Sequence, residues 1–190
     1  MIRFRKTLLV AVLPALVAGC GYNAIQRYDE DAQRAKQQIN VQLQRRSDLI
    51  PNLVETVKGF AKQELDVFTQ VTQARAGLNS ALQTGDLKQM ASANDQLTGA
   101  LGKLMVTVEA YPQLKSDQTF LRLQDELSGT ENHIAVARTD YNGAVQKYNA
   151  YIRQFPQLMT AKVTGAKARD YFELQTPGAA TAPAVDFKKK

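Results

Sequence analysis

The residue types that most often carry metal chemistry are scarce in this chain of 190 residues, which has one histidine and one cysteine. A di-iron site in a helical bundle needs two Glu-x-x-His pairs and further glutamates. Here Thr130 stands three residues before His133, and Glu131 precedes it by two. Structural zinc needs several Cys and His ligands. We therefore predict no metal and no cofactor, and interpret His133 as a solvent-facing or capping residue.

Motifs for catalysis are also missing from the sequence. It contains no glycine-rich phosphate loop, no GxSxG and no HExxH. A nucleophile and its base would have to come from Ser, Lys or carboxylates, and no spacing marks such a pair. We therefore predict that the chain is not an enzyme.

Cys20 has the setting of a lipid attachment site. Three basic residues within residues 1–6 precede an apolar or small stretch, Thr7–Gly19, which is shorter than the about 20 residues that cross a bilayer. It ends in Val17-Ala18-Gly19-Cys20, which resembles the bacterial lipobox, where small residues fit the signal peptidase and the cysteine thiol takes a diacylglyceryl group. We predict a signal peptide over residues 1–19 and acylation, such as palmitate, at Cys20. The alternative is an ordinary signal peptide, or a short anchor, with an incidental cysteine.

Lipidation of Cys20 has two consequences. The mature chain would have no thiol for a disulfide, a metal or covalent catalysis, and two or three acyl chains would anchor it more stably than one. Gly21 rather than an aspartate follows the cysteine, which by the sorting habit of such lipoproteins favours the outer over the inner membrane. We predict a membrane-anchored lipoprotein of the cell envelope that faces the periplasm.

The net charge of +6 does not indicate nucleic-acid binding. Three basic residues precede the apolar stretch and three, Lys188, Lys189 and Lys190, end the chain; the remaining 18 balance 18 acidic residues. No basic face of the kind that binds phosphates is visible, so we predict no nucleic-acid partner. The Pro/Ala-rich tail 176–190 is expected to be disordered, with its lysines either solvated or weakly attracted to an anionic lipid or polymer.

Apolar residues recur at steps of three and four, which predicts an all-α, elongated antiparallel bundle of three to four long helices over residues 20–175. The expected helices and their boundary residues are 24–82 ended by Gly85, 87–110 capped by Asp86 and stopped by Tyr111-Pro112, and a third from Ser116 or Asp117 to about Phe155. The third has a nearly heptad stripe, typical of coiled-coil-like packing. Beyond it, Tyr171, Phe172 and Leu174 could strap onto the bundle.

Pro51 lies inside the first helical pattern and has no N–H for the carbonyl of Ser47. A continuous helix of about 59 residues would span about 88 Å and overhang its partners. We expect the helix either to kink at Pro51 or to restart there with Ser47 or Asp48 as N-cap. A stalk that continues from Pro51 toward the lipid is the remaining alternative.

The best candidate for a site beyond packing is the polar cluster around Pro51, formed by Arg45, Arg46, Asp48 and Asn52. In one interpretation it is a helix junction, with Asp48 as cap and an arginine paired across the bundle with Glu109, Glu126 or Glu131. In the other it is a partner-binding patch.

A second feature is the repeat of Tyr141-Asn142 as Tyr148-Asn149, one heptad later. The spacing puts both tyrosines on one helix face. Core tyrosines with their hydroxyls satisfied at the bundle edge are the favoured interpretation, and a ligand groove is the alternative.

Several separated motifs occur together in a fixed order. They are Arg45-Arg46-Ser47-Asp48-Leu49-Ile50-Pro51-Asn52-Leu53-Val54-Glu55-Thr56-Val57-Lys58-Gly59-Phe60-Ala61, Ala74-Arg75, Glu109-Ala110-Tyr111-Pro112-Gln113-Leu114-Lys115, Leu123-Gln124-Asp125-Glu126-Leu127, Thr130-Glu131, Ala137-Arg138, the two Tyr-Asn pairs, and Phe155-Pro156. This set, over about residues 22–174, resembles the LemA family.

The resemblance implies a membrane-attached, mostly helical protein that faces away from the cytoplasm and has no established enzymatic activity. Relatives are often encoded near TPM-domain envelope proteins, which makes such a protein a candidate partner. Many relatives carry an N-terminal transmembrane helix where this chain has a lipobox, which puts their inner-membrane location in doubt here.

We therefore expect a non-enzymatic scaffold or adaptor in the envelope, with a homo-oligomer left open. The alternatives are an enzyme or regulator that acts on envelope lipid or peptidoglycan, and a small-ligand carrier with an apolar slot between helices.

Overall fold

A computed structural model describes the backbone of residues 2–173 and the side chains of residues 21–173. The side chain of Cys20, Leu174 and the tail 176–190 lie outside the described residues. The described part is all-α and contains no strand, so the predicted all-α helical class is confirmed. Its six helices are α1 (Ile2–Phe60), α2 (Leu65–Thr84), α3 (Leu87–Val108), α4 (Pro112–Lys115), α5 (Gln118–Tyr151) and α6 (Gln157–Thr164).

The first predicted helix is wrong in one respect. The stretch 24–82 forms parts of two helices, and the interruption lies at residues 61–64 rather than at Pro51. Residues 61–64 contain neither Pro nor Gly, so the local sequence gave no signal for this break. Pro51 lies inside α1, so the helix does not restart there and neither Ser47 nor Asp48 acts as its N-cap.

The other predicted boundaries agree with the structure to within a few residues. Gly85 follows α2 with a left-handed φ of 66°, a conformation that glycine adopts without a steric cost. The side chains of Asp86 and Asp117 each accept a hydrogen bond of 2.9 Å from the third N–H of α3 and α5, as N-caps do. The helix α3 ends at Val108 and α5 at Tyr151.

Two compact units share the long helices α1 and α5, and each unit has its own core. The second unit, Leu43–Gly129, contains the antiparallel pair α2 and α3, which pack against each other. Its fully buried side chains come from α1, α2, α3, α4 and the start of α5. They include Leu43, Ile50, Leu53, Val57, Val71, Leu78, Met90, Leu97, Leu104, Leu114 and Phe120.

The first unit comprises residues up to Gln42 and Thr130–Phe172. Ile25, Ala32 and Ile39 recur every seven residues on the buried face of α1. At one end, Ile25 packs with Tyr148, Ile152 and Ala161 in a core cluster. Thus α6, which the sequence did not predict, belongs to this core.

Gly165 ends α6 with a left-handed φ of 72°. The chain then continues without regular secondary structure over residues 166–173, here named the C-terminal strap. Phe172 is buried, as expected of a strap, whereas Tyr171 is exposed.

Candidate functional site

The helix α1 passes through Pro51 because a side chain replaces the missing backbone donor. Proline leaves the carbonyl of Ser47, four residues earlier, without its helical hydrogen bond. Ser47 is fully buried, so bulk water does not reach it. Arg75 on α2 places its Nε 2.9 Å from this carbonyl oxygen and donates to it. Arg75, which is 24 positions from Pro51 in the sequence, therefore satisfies the carbonyl that the proline leaves without a donor.

Arg46 and Ser47 also bond to both helices of the α2/α3 pair. Arg46, only 2% exposed, donates from Nη1 to Oδ1 of Asn94 on α3 at 2.7 Å. The hydroxyl of Ser47 donates to Oδ1 of Asn79 on α2, also at 2.7 Å. A buried polar group left without its partner costs about 1–3 kcal/mol, so this buried polar network, together with Arg75, fixes the register of α1 on the pair.

The predicted polar cluster does not form one site. Arg46 points into the buried polar network, whereas the other three members are exposed. Arg45, Asp48 and Asn52 are three and four residues apart, which places them on one face of α1; this set is here named the outer stripe. Asp48 accepts a hydrogen bond from Gln44 one turn earlier.

Two other predicted residues can be placed. Glu109, a suggested partner for an arginine of the cluster, pairs with Lys115 at 2.5 Å. His133 is solvent-exposed on α5.

In the first unit, the repeated Tyr-Asn pairs bind the C-terminal strap. The side chain of Asn149 donates to the carbonyl of Arg169 at 2.9 Å and accepts from the same residue's N–H at 2.8 Å. Asn142 makes the same pair of bonds with Phe172, at 3.1 and 2.8 Å. Each asparagine thus satisfies both backbone groups of one strap residue, as a neighbouring β-strand would.

The heptad spacing of these asparagines has a geometric reason. Seven residues of α-helix rise about 10.5 Å, and three residues of nearly extended chain span about 10 Å. Asn142 and Asn149 are therefore spaced to meet Phe172 and Arg169, three residues apart in the strap. The strap runs antiparallel to α5.

Tyr141 and Tyr148 lie on the buried side of α5, and their hydroxyl groups contact the strap and α1. The hydroxyl of Tyr141 donates to the carbonyl of Asp170 at 2.8 Å, and the phenol of Tyr148 lies near Asp29 of α1. Burial raises the pKa of both phenols above the ordinary value near 10. These contacts support core tyrosines over a ligand groove.

A two-pronged ion pair joins the strap to α1. The guanidinium of Arg169 donates from Nε to Oδ1 of Asp29 at 2.7 Å and from Nη2 to Oδ2 at 2.9 Å. The hydrogen bond from Arg169 lowers the pKa of Asp29, and Asp29 in turn raises the pKa of Arg169. Because bidentate arginine pairs are directional, this contact fixes the strap relative to α1.

Among the clefts formed by described residues, two border the first unit. One, of about 330 Å³, is bordered by Tyr28, Asp31, Asp140, Gly143 and Lys147 among others. The second, of about 410 Å³, includes the Asp29–Arg169 pair in its wall. Charged groups stand in the wall of each cleft: Asp31, Asp140 and Lys147 border the first, and the Asp29–Arg169 pair borders the second.

Among residues 21–173, no three His, Cys, Asp or Glu side chains come together in a way that could hold a metal ion. Within the same described part, no helix combines the length and the apolar character that crossing a membrane requires.

Sequence reasoning missed the partners of these polar residues. Arg75 stands in a motif that was recognised, but nothing local links it to Pro51. The asparagines of the Tyr-Asn repeat were visible, and the match between a heptad and three extended residues was the signal that could have identified their role. Asp29 and Arg169 are 140 residues apart, and no spacing connects them.

Comparisons with known proteins agree with the motifs. The model of the LemA family matches residues 35–187. Two proteins of Paramagnetospirillum magneticum, named Magnetosome protein MamQ 1 and MamQ 2, are each 32% identical over 180 residues, which cover 83% of this chain and 66% of theirs. Protein LemA of Metamycoplasma hominis is 24% identical over 133 residues, 70% of this chain and 60% of its own. The chain thus spans just under two thirds of the length of the two magnetosome proteins.

Proposed function

We propose that this chain, which belongs to the LemA family, is a membrane-anchored lipoprotein. It would serve as a non-enzymatic scaffold or adaptor in the bacterial cell envelope. The observation that carries the proposal is the use of its distinctive polar residues. Arg46, Ser47 and Arg75 hold α1 on α2 and α3, and Asn142 and Asn149 hold the strap. The most distinctive polar side chains of the described part thus hold helices and the strap in place, as the framework of a scaffold requires.

The anchor in this proposal is a lipid on Cys20. Its support is the sequence alone, namely the basic start, the short apolar stretch and the small residues before the cysteine. Cys20→Ser should abolish incorporation of labelled palmitate and leave an uncleaved precursor. Unchanged labelling would contradict the proposed lipid anchor on Cys20. Separation of the two membranes would then test the preference for the outer membrane.

The adaptor surface in this proposal is the outer stripe. Arg45, Asp48 and Asn52 are exposed on α1, directly outside the buried polar network, so their positions are fixed from within. They offer a cation, a carboxylate and an amide for a polar partner surface. The partner we expect is an envelope protein, and a TPM-domain protein is the first candidate to examine.

Crosslinking in living cells tests the outer stripe. Arg45→Ala combined with Asp48→Ala should reduce recovery of a reproducible crosslinked partner. The matched control is Arg122→Ala with Asp125→Ala, because these exposed residues have the same types and spacing on α5. Equal recovery from both variants would contradict the outer stripe, and a lipidated protein with no reproducible partner would contradict the adaptor function.

A further inference from the structure

Exposed apolar side chains, here named the apolar stripe, lie on α6 and just before it. Phe155, Met159 and Val163 are 82%, 57% and 88% exposed. Their spacing of four residues aligns Met159 and Val163 on one helix face, and Phe155 precedes them by the same step. Thr160 and Ala161, on the opposite face, are buried against the first unit. Neighbouring apolar side chains of this size, left exposed, mark an interaction surface.

The apolar stripe lies close in space to the residues that follow the proposed anchor, Cys20. A Cβ added to Gly21 would lie 3.3 Å from Cγ of Gln157 and 3.6 Å from Oγ1 of Thr160, so α6 packs directly on α1 at this residue. Gly21 is the residue after Cys20. Tyr22, the next residue, is 45% exposed, and tyrosine is enriched where proteins meet the membrane interface.

The part of the sequence that contains the apolar stripe is basic. The stretch 141–169 contains five Lys and Arg residues and no acidic residue. Arg169 is held by Asp29, whereas Arg153, Lys162 and Lys167 are exposed. Lysine and arginine can extend their charged ends toward headgroups while their stems cover apolar surface. This combination of charges and apolar side chains fits an anionic lipid surface.

We propose that the surface formed by Met159, Lys162 and Val163 of α6 with the flanking Phe155 and Lys167, here named the α6 face, lies in the surface of the membrane to which the protein is anchored. The apolar side chains enter the boundary between headgroups and acyl chains, and the lysines contact anionic headgroups. The inference rests on the proposed anchoring, since the anchor brings this face to the bilayer. It gives α6 a role: it sets which side of the first unit faces the membrane.

The absence of tryptophan from the chain permits a direct test. Single variants Met159→Trp and Val163→Trp report from the face, and Val136→Trp is the matched control. Val136 is an exposed apolar residue of the same unit, about 22 Å along α5 from Tyr151. The full lipidated protein is placed in phosphatidylethanolamine–phosphatidylglycerol vesicles with and without brominated phosphatidylcholine, which quenches tryptophan only on contact.

We expect bromolipid to quench the fluorescence of both α6 variants several times more strongly than that of the Val136→Trp variant. In the Met159→Trp background, Lys162→Gln should lower the ratio of docked to undocked protein about fivefold, as removal of one charge near an anionic surface does. Lys88→Gln, at an exposed position of the second unit, should leave the ratio unchanged.

Vesicle flotation separates the two proposals. Protein that floats with the vesicles but shows equal quenching at all three positions overturns the α6 inference and leaves the anchor intact. A blue-shifted emission at position 159 without bromolipid quenching also overturns it, because a protein surface then covers α6. Protein that does not float contradicts the anchoring on which both depend.

Discussion

The hydrogen bond from Arg75 to the carbonyl of Ser47 should be energetically coupled to Pro51. Arg75→Met keeps most of the apolar stem but removes the donor, so the buried carbonyl loses its partner. Pro51→Ala restores a backbone N–H in the position that normally serves this carbonyl. In the Pro51→Ala background, Arg75→Met should therefore leave the carbonyl satisfied.

The magnitude follows from the two states of the carbonyl. A hydrogen bond from a charged donor contributes about 1.5–3 kcal/mol, and partial exposure of Arg75 places this one at the lower end. Arg75→Met should thus lower the free energy of unfolding by about 2 kcal/mol with Pro51 present, and by less than about 1 kcal/mol once the helical bond is restored. The expected coupling energy is about 1 kcal/mol or more.

Urea unfolding followed by far-UV circular dichroism measures all four proteins of this cycle. The midpoints should shift with an unchanged denaturant dependence, so that the differences report stability. Additive effects, with Arg75→Met equally costly in both backgrounds, would refute the idea that Arg75 replaces the bond that Pro51 removes.

Three further predictions concern the strap of the first unit. Asn149→Leu should lower the free energy of unfolding by about 1–3 kcal/mol, because the backbone of Arg169 loses both its hydrogen-bond partners. It should also speed proteolytic cleavage of the strap. An unchanged cleavage rate would contradict the role of Asn149 in holding the strap. The pKa of the Asp29 carboxyl is lowered in the folded state. Its contribution to stability is therefore complete above the unfolded-state pKa of about 3.8. The contribution is lost as the pH falls through the pKa of the folded state. Asp29→Asn should remove that part of the acid dependence of the urea midpoint, and an identical acid profile in both proteins would count against it. The pKa of the Tyr141 phenol is raised in the folded state. Its contribution to stability is therefore complete below about pH 10 and decreases as the pH rises through the pKa of the folded state. Tyr141→Phe should weaken this loss of stability at high pH, and urea unfolding at high pH would detect the difference.

The helices and most of their ends could be predicted because their signals are local. Gly85 and the aspartates that cap α3 and α5 act on backbone groups within a few residues of themselves. The periodic apolar residues likewise record which helix face is buried. Such signals need no knowledge of the partner helix.

The restart of the helix at Pro51, one of the alternatives that the sequence left open, is wrong. The hydrogen bond that satisfies the carbonyl of Ser47 comes from a residue distant in the sequence. Proline ordinarily ends or kinks a helix, and only the position of Arg75 in three dimensions explains why α1 continues. At the break over residues 61–64, Ala61 is buried and Glu64 accepts a hydrogen bond from Tyr111, contacts with distant residues that the local sequence does not reveal.

The candidate site could be predicted only in part for the same reason. The cluster around Pro51 was correctly recognised as unusual, but sequence alone could not separate Arg46, which points inward, from Arg45, which points outward. One residue of difference on a helix turns a side chain by about 100°, so the direction depends on which face packs. That direction decides which residues remain available to a partner.

The lipid that we propose on Cys20 would hold this protein at its membrane. The most direct test is the intact mass, with the N-terminal peptide, of protein extracted from membranes in mild detergent. We expect a chain that begins at Cys20 and carries the added mass of a diacylglyceryl group. A chain that retains residues 1–19 and an unmodified cysteine would contradict it.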